Sequence, residues 1–223
     1  AIVNGELVIY YTDGTEKNLG TIGSTTTVES LQMLKFTKLD DGTLSVAIND
    51  DYKDFAENIV VPSTFNGRTV TQIAENGFSN CIYLSSVTLP DTITIANNSA
   101  FSGCTALSSI RLSTNLTELG ARCFFNCLAL SSIELPNSIL AIGDNCFLSC
   151  SSLTALSLPE NLQSIGARAF VKSGITTITI PASVTYIGME AFKDGFTNPS
   201  VQNLQTIYFE DTSNWKKVNY SDV

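Results

Sequence analysis

The sequence predicts a repeat solenoid, rich in β-structure, with one short parallel strand per repeat and irregular or short helical return segments. Three observations predict it. Phenylalanine stands at positions 78, 101, 124, 147, 170 and 192, at steps of 23, 23, 23, 23 and 22 residues. Around each of them one frame recurs. An apolar residue lies five positions earlier, a small residue just before and a cysteine or small residue usually three after, and an apolar segment then closes in most copies with Leu-Pro or Ile-Pro. A period in the range of roughly 20 to 29 residues is too short for a unit that folds alone, so each copy hides its apolar side only against its neighbours.

Taken in chain order, residues 1–30 form an N-terminal segment. GELVIYYTDGTEKNLGTI reads as a hairpin about Asp13-Gly14, and the polar run at 23–30 as a linker. Residues 31–58 are the expected N-terminal cap, because an open stack needs its apolar end covered. Within it Leu34 and Phe36, then Leu44, Val46 and Ile48, alternate about Asp41-Gly42, the pattern of a hairpin. The solenoid spans 59–209 with about six repeats, and its first copy carries extra residues around Phe65 to Arg68. Residues 210–223 are a C-terminal cap or tail holding the only tryptophan, Trp215, read as part of that cover or as a surface anchor for a ligand. The 29-residue step from Ile178 to Ile207 contains the insertion DGFTNPSVQN.

Inside a repeat, Leu107, Ile110 and Leu112 follow a spacing that returns at Leu130, Ile133, Leu135 and at Leu153, Leu156, Leu158. Alternate strand side chains point to opposite faces, so Ile110 and Leu112 turn inward while Ser109 and Arg111 turn out. This is a short strand hydrogen-bonded to the coils above and below, ended by Pro90, Pro136, Pro159 or Pro181, which has no N–H to donate. A second apolar pair follows, such as Ile139 and Ile142, with Gly120, Gly143, Gly166 or Gly188 next to it. Those glycines suit a positive φ or a close backbone approach. The copy with Ala96 and Asn97 departs from this pattern, which leaves its register there open.

The succession Ile-x-Leu-Pro, Ile-Gly, Ala-Phe or Cys-Phe, a small residue and Cys, then Leu resembles the BspA-like leucine-rich repeats of bacterial surface proteins, over about residues 59 to 209. The resemblance implies a right-handed leucine-rich-repeat horseshoe, secreted or displayed on a bacterial cell surface, that binds host or microbial macromolecules and has no catalytic centre. It supplies no fixed binding residues.

Composition narrows the function from the other side. With Lys+Arg 12 against Asp+Glu 21, a net charge of −9 and no basic block, the chain lacks what binding a phosphate backbone needs, so nucleic acid is not an expected partner. Histidine is absent, which excludes serine-histidine and cysteine-histidine nucleophile pairs and imidazole zinc sites. No Asp or Glu recurs where the repeat would bring carboxylates to one pocket, so neither catalysis nor a cofactor is expected. No apolar run reaches the 18 or so residues of a membrane helix, and the N-terminus lacks the order of a signal peptide; the chain reads as a soluble ectodomain.

Cys81, Cys104, Cys127 and Cys150 occupy one column, and Cys123 and Cys146 take the place held elsewhere by Ala100, Ala169 or Ala191. Interchange with alanine points to packing. Coils about 4.8 Å apart would leave parallel side-chain vectors with their Cβ atoms too distant for a good disulfide, so buried free thiols are expected. The cluster Asp50, Asp51, Asp54 and Glu57 lacks the spacing and glycine of an EF-hand and reads as a solvated face. The candidate binding residues lie on the outward strand positions of the concave face: Ser109, Arg111, Ser132, Glu134, Thr177 and Tyr208. Arg111 and Glu134 share a column in adjacent units and are expected to form a surface ion pair or to offer polar groups in a ligand groove. The function that follows is a recognition or adhesion module for an extracellular protein or glycan; the alternative is a spacer that projects another domain.

Overall fold

The structure, a computed structural model, describes residues 2–3, 6–10, 16–21, 31–193 and 204–211. The first three stretches are β1 (Ile2–Val3), β2 (Glu6–Tyr10) and β3 (Glu16–Thr21), an antiparallel sheet in that order. The Asp13-Gly14 turn, the polar run 23–30, the insertion 194–203 and Trp215 lie outside the described residues.

The alternation of apolar residues from Leu34 onward yields the hairpin it predicts. β4 (Leu34–Lys38) and β5 (Leu44–Ile48) pair antiparallel, with Leu34 opposite Ile48 and Phe36 opposite Val46. Gly42 takes φ 85° at the turn, where a side chain would be strained, and the Asp41 carboxylate accepts the Thr43 N–H at 2.9 Å. A 3-10 turn at Asp50–Tyr52 leads on to β6 (Asn58–Val60). The extra residues of the first copy form β7 (Thr64–Phe65), which folds back on β8 (Arg68–Ile73) through Asn66 and Gly67, both at positive φ. This places the Phe65 ring on Phe36 at 4.1 Å. β5 pairs in parallel with β8, so the hairpin continues the stack.

The repeats contribute β9 (Ser86–Thr88), β10 (Ile95–Ala96), β11 (Ser109–Arg111), β12 (Glu118–Leu119), β13 (Ala141–Ile142), β14 (Ser164–Ile165), β15 (Thr177–Ile180), β16 (Tyr186–Ile187) and β17 (Thr206–Phe209). They build two ladders, where one strand per repeat was expected. The first is unbroken and runs β8-β10-β12-β13-β14-β16, all parallel and at the Ile-Gly position. The second, at the Ile-x-Leu-Pro position, is interrupted: β6, β9 and β11 form one sheet, β15 and β17 another, and the segments between carry no strand. Return segments between the repeat strands are turns, and the 3-10 turn at Asp50–Tyr52 lies ahead of the repeats.

The glycines explain which ladder stays closed. A Cβ on Gly120 would come within 2.7 Å of the Asn97 carbonyl carbon, and one on Gly143 within 2.6 Å of the Ala121 nitrogen, so only a residue without Cβ lets successive backbones approach so closely. Close approach is therefore the reason for these glycines, and positive φ is not. The left-handed positions fall two residues later, at Ser99, Arg122, Asn145, Arg168 and Glu190, where they turn the chain toward the phenylalanine. The copy with Ala96 and Asn97 keeps register: Ala96 pairs with Ile73 and Leu119, and the Asn97 side chain donates to the Ile73 carbonyl at 2.8 Å.

The interior is one continuous column. Rings 78, 101, 124, 147, 170 and 192 stack with centroids 5.3 to 5.6 Å apart and planes within 9° of parallel. Leu84, Leu107, Leu130 and Leu153 are buried beside it, as are all six cysteines.

Candidate recognition groove

β11 ends the first sheet on the Ile-x-Leu-Pro face. Its pairing with β9 occupies one edge: the Ser109 N–H donates to Ser85 O at 3.2 Å, and Arg111 O accepts the Leu89 N–H at 2.9 Å. Alternate residues of a strand address opposite edges, so the N–H and C=O of Ile110 are aimed at the following coil. Among the described residues no backbone hydrogen bond is donated by Ser132, Ile133, Glu134 or Leu135, nor by residues 154–158. On the other ladder these same coils are hydrogen-bonded through β12, β13 and β14. The bonds between these coils are thus denser on the glycine side than on this one, where Leu135, Leu156 and Leu158 are half-buried against the core.

The opening is a groove of about 490 Å³ between Ser108–Leu112 and Ser132–Pro136. A smaller one, of about 290 Å³, follows between Ile133–Leu135 and Ala155–Ser157. Four of the residues predicted from sequence, Ser109, Arg111, Ser132 and Glu134, line the larger groove and are exposed. Thr177 and Tyr208 do not join them. Tyr208 pairs with Thr179 in the β15–β17 sheet, four coils along the Arg111 column. It is 58% exposed, alongside the exposed Ile207 and Phe209 of the last described strand.

The expected Arg111–Glu134 ion pair is not formed. The Arg111 guanidinium turns back to the previous coil, donating to Leu89 O at 2.6 Å and to both oxygens of the Asp91 carboxylate at 3.2 Å. The turn after Pro90 brings Asp91 within reach of the guanidinium. Asp91 also accepts the Thr114 N–H at 3.0 Å, and that bond, with Arg111 behind it, holds its carboxyl below the usual carboxylate range. Asp91 was missed from sequence; its signal is that it is the only acidic residue at the turn one coil ahead of a solitary arginine. Glu134 has no ion-pair partner among the described residues.

The cysteines lie away from this face, in the interior. Cys104, Cys127 and Cys150 donate to the carbonyls of Phe78, Phe101 and Phe124 at 3.0 to 3.2 Å. Burial pushes the Cys123, Cys127 and Cys146 thiols up, and that of Cys150 to about 12. No group of three or more potential metal ligands is assembled among the described residues, so Asp50, Asp51, Asp54 and Glu57 do not converge. No helix among those residues is long and apolar enough to cross a membrane.

Six copies of the BspA type leucine rich repeat region match residues 71–198. This chain belongs to the BspA-type leucine-rich repeat family. Solved structures agree with that placement of the BspA-type chain. The leucine rich repeat protein TpLRR of T. pallidum is 27% identical with a TM-score of 0.69, over 80% of this chain and 81% of that one. A leucine rich cell surface protein of Faecalibacterium prausnitzii A2-165 is 26% identical with a TM-score of 0.61, over 81% and 54%. The pneumococcal vaccine antigen PcpA, at 20% identity and a TM-score of 0.61 over 81% and 48%, shares the fold. The BspA-type chain thus spans about half the length of the last two. No curated protein sequence matches it.

Proposed function

We propose that this BspA-type chain is a non-catalytic recognition or adhesion module of a bacterial cell surface, holding a host or microbial protein or glycan on its Ile-x-Leu-Pro face. Residues 31–58 cap the stack, and Ser109, Arg111, Ser132 and Glu134 provide the polar contacts, with Thr177 and Tyr208 as a second contact area further along the solenoid. The observation that carries the reading is the groove beside β11, where exposed charged and hydroxyl side chains surround backbone groups that the fold leaves unmet. A surface location is supported by the similarity to the leucine rich cell surface protein of F. prausnitzii. A solid-phase screen against matrix proteins and glycans tests the reading. Saturable binding, lost on Arg111→Ala, Glu134→Ala and Tyr208→Ala, is expected; an empty panel favours a spacer that projects another domain.

A further inference from the structure

The turn between β7 and β8 is a two-residue loop with both residues left-handed, Asn66 at φ 51° and Gly67 at φ 72°. Such a turn favours Asn-Gly, since few other residues accept positive φ at both places. The residues on either side of it grip the preceding hairpin. Phe65 lays its ring on Phe36 of β4 at 4.1 Å, and the Arg68 guanidinium donates to Gly42 O, in the turn between β4 and β5, at 2.9 Å. The loop is thus the bend of a clasp on the β4–β5 hairpin. The pair that suits this turn is also chemically labile: glycine has no side chain to keep its nitrogen from the asparagine Cγ, and asparagine is a thermolabile residue.

Asn-Gly occurs at residues 4–5, 66–67 and 76–77, the first of these outside the described residues. The fold treats the other two differently. The Gly77 N–H donates to Ala74 O at 2.9 Å, the Asn76 N–H to Asn98 O at 3.0 Å, and Gly77 O accepts the Ile48 N–H at 2.8 Å, so this pair is tied to the coil on each side. Gly77 is buried, and a Cβ there would lie 2.9 Å from Ala74 O. Gly67 is exposed, and a Cβ on it would meet nothing within 4 Å. Among the described residues neither the Gly67 N–H nor the Asn66 side chain has a hydrogen-bond partner. β7 has 2 residues and, among the same residues, pairs with β8 alone, so opening the loop breaks few bonds.

We propose that Asn66 is a site of spontaneous deamidation whose isoaspartyl product releases the clasp on the β4–β5 hairpin. The Gly67 nitrogen bonds to Asn66 Cγ and its proton passes by way of solvent to Nδ2, which leaves as ammonia from a cyclic imide. Water then opens the ring. Attack at Cγ gives aspartate; attack at the backbone carbonyl carbon gives isoaspartate, whose main chain runs through Cβ and Cγ. Aspartate tolerates positive φ and keeps the turn. Isoaspartate adds a methylene to the loop that sets Phe65 opposite Arg68, so both grips are lost together.

The full chain is aged at mildly alkaline pH, both folded and in urea. Proteolytic fragments are then weighed for the amide-to-acid mass gain, and isoaspartate is detected with an isoaspartyl methyltransferase. In the folded chain Asn66 is expected to convert at least about tenfold faster than Asn76, whereas in urea the two convert alike, since local opening sets the difference. By NMR, amide exchange in the aged chain should quicken at Val70, whose N–H donates to Ser63 O at 2.9 Å, and the ring-current shifts of Phe36 and Phe65 should fade, while Gly143 stays unchanged. Asn66→Gly keeps a turn of two left-handed residues but has no amide to lose, so it should age without these changes; fresh Asn66→Asp should retain the stack. Similar rates at Asn66 and Asn76 in the folded chain, or an intact Phe36–Phe65 stack in chains that carry isoaspartate at 66, overturns the proposal. So does equal loosening of aged Asn66→Gly, or an Asn66 that stays intact in the folded chain while the unfolded one converts.

Discussion

Replacing Phe124 by alanine tests whether the solenoid is held by its ring column. The side chain is fully buried and lies between Phe101 and Phe147, each with its centroid 5.4 Å away. A phenylalanine buries about 150 Å² or more, which at about 25 cal/mol per Å² is roughly 4 kcal/mol of transfer free energy. Each stacked pair adds about 0.5 to 1.5 kcal/mol, and both are lost. A cost of about 5 kcal/mol is expected, at the upper end of the usual range for Phe→Ala. Phe192, half-buried and, among the described residues, stacked on Phe170 alone, should cost about 2 kcal/mol. Phe124→Leu keeps most of the apolar volume and should cost about 1 to 2 kcal/mol, which isolates the stacking. Urea unfolding followed by circular dichroism measures all three. Because contacts run only between neighbours, Phe124→Ala should also broaden the transition as the coils on either side uncouple. If Phe124→Ala and Phe192→Ala cost the same within about 1 kcal/mol, with equally sharp transitions, the column does not carry the fold.

Gly143→Ala should lose about 1 to 3 kcal/mol and speed amide exchange at Gly143, whose N–H donates to Leu119 O at 2.8 Å; a neutral effect would remove close approach as the reason for the glycine column. The six thiols should ignore a thiol reagent in the native chain and all titrate after unfolding, and a smaller number then would reveal disulfides. Alkaline pH should weaken the fold through the same residues. The native thiols of Cys123, Cys127, Cys146 and Cys150 are raised by burial, the last to about 12, while unfolded ones ionise at about 8.5, so across that interval the native state holds protons the unfolded state has lost and stability falls as pH rises. Urea midpoints from pH 8 upward should drop less steeply in Cys123→Ala/Cys146→Ala than in the parent, and parallel profiles would refute the linkage.

Much of this was legible in the chain because a tandem repeat states the same requirement several times. The phenylalanine spacing foretold the ring column, the exchange of cysteine for alanine foretold buried thiols, and the alternation from Leu34 to Ile48 foretold the β4–β5 hairpin. The candidate groove was legible in part. Ser109, Arg111, Ser132 and Glu134 meet there because equal positions in successive coils must lie side by side, whereas the salt bridge of Arg111 to Asp91 crosses from strand to turn and follows no column.

Periodicity and apolar spacing are one-dimensional properties, so length, order of coils, inward residues and the family were settled by the residues alone. Whether a given ladder closes depends on the distance between backbones, and that distance is a compromise between two sides of the same coil. Glycine lets Ile142 and Leu119 approach to hydrogen-bonding range, while on the opposite side β11 forms no ladder with the coil that carries Glu134. Neither effect is written at a single position; packing of the whole stack weighs one against the other, and the groove is its result.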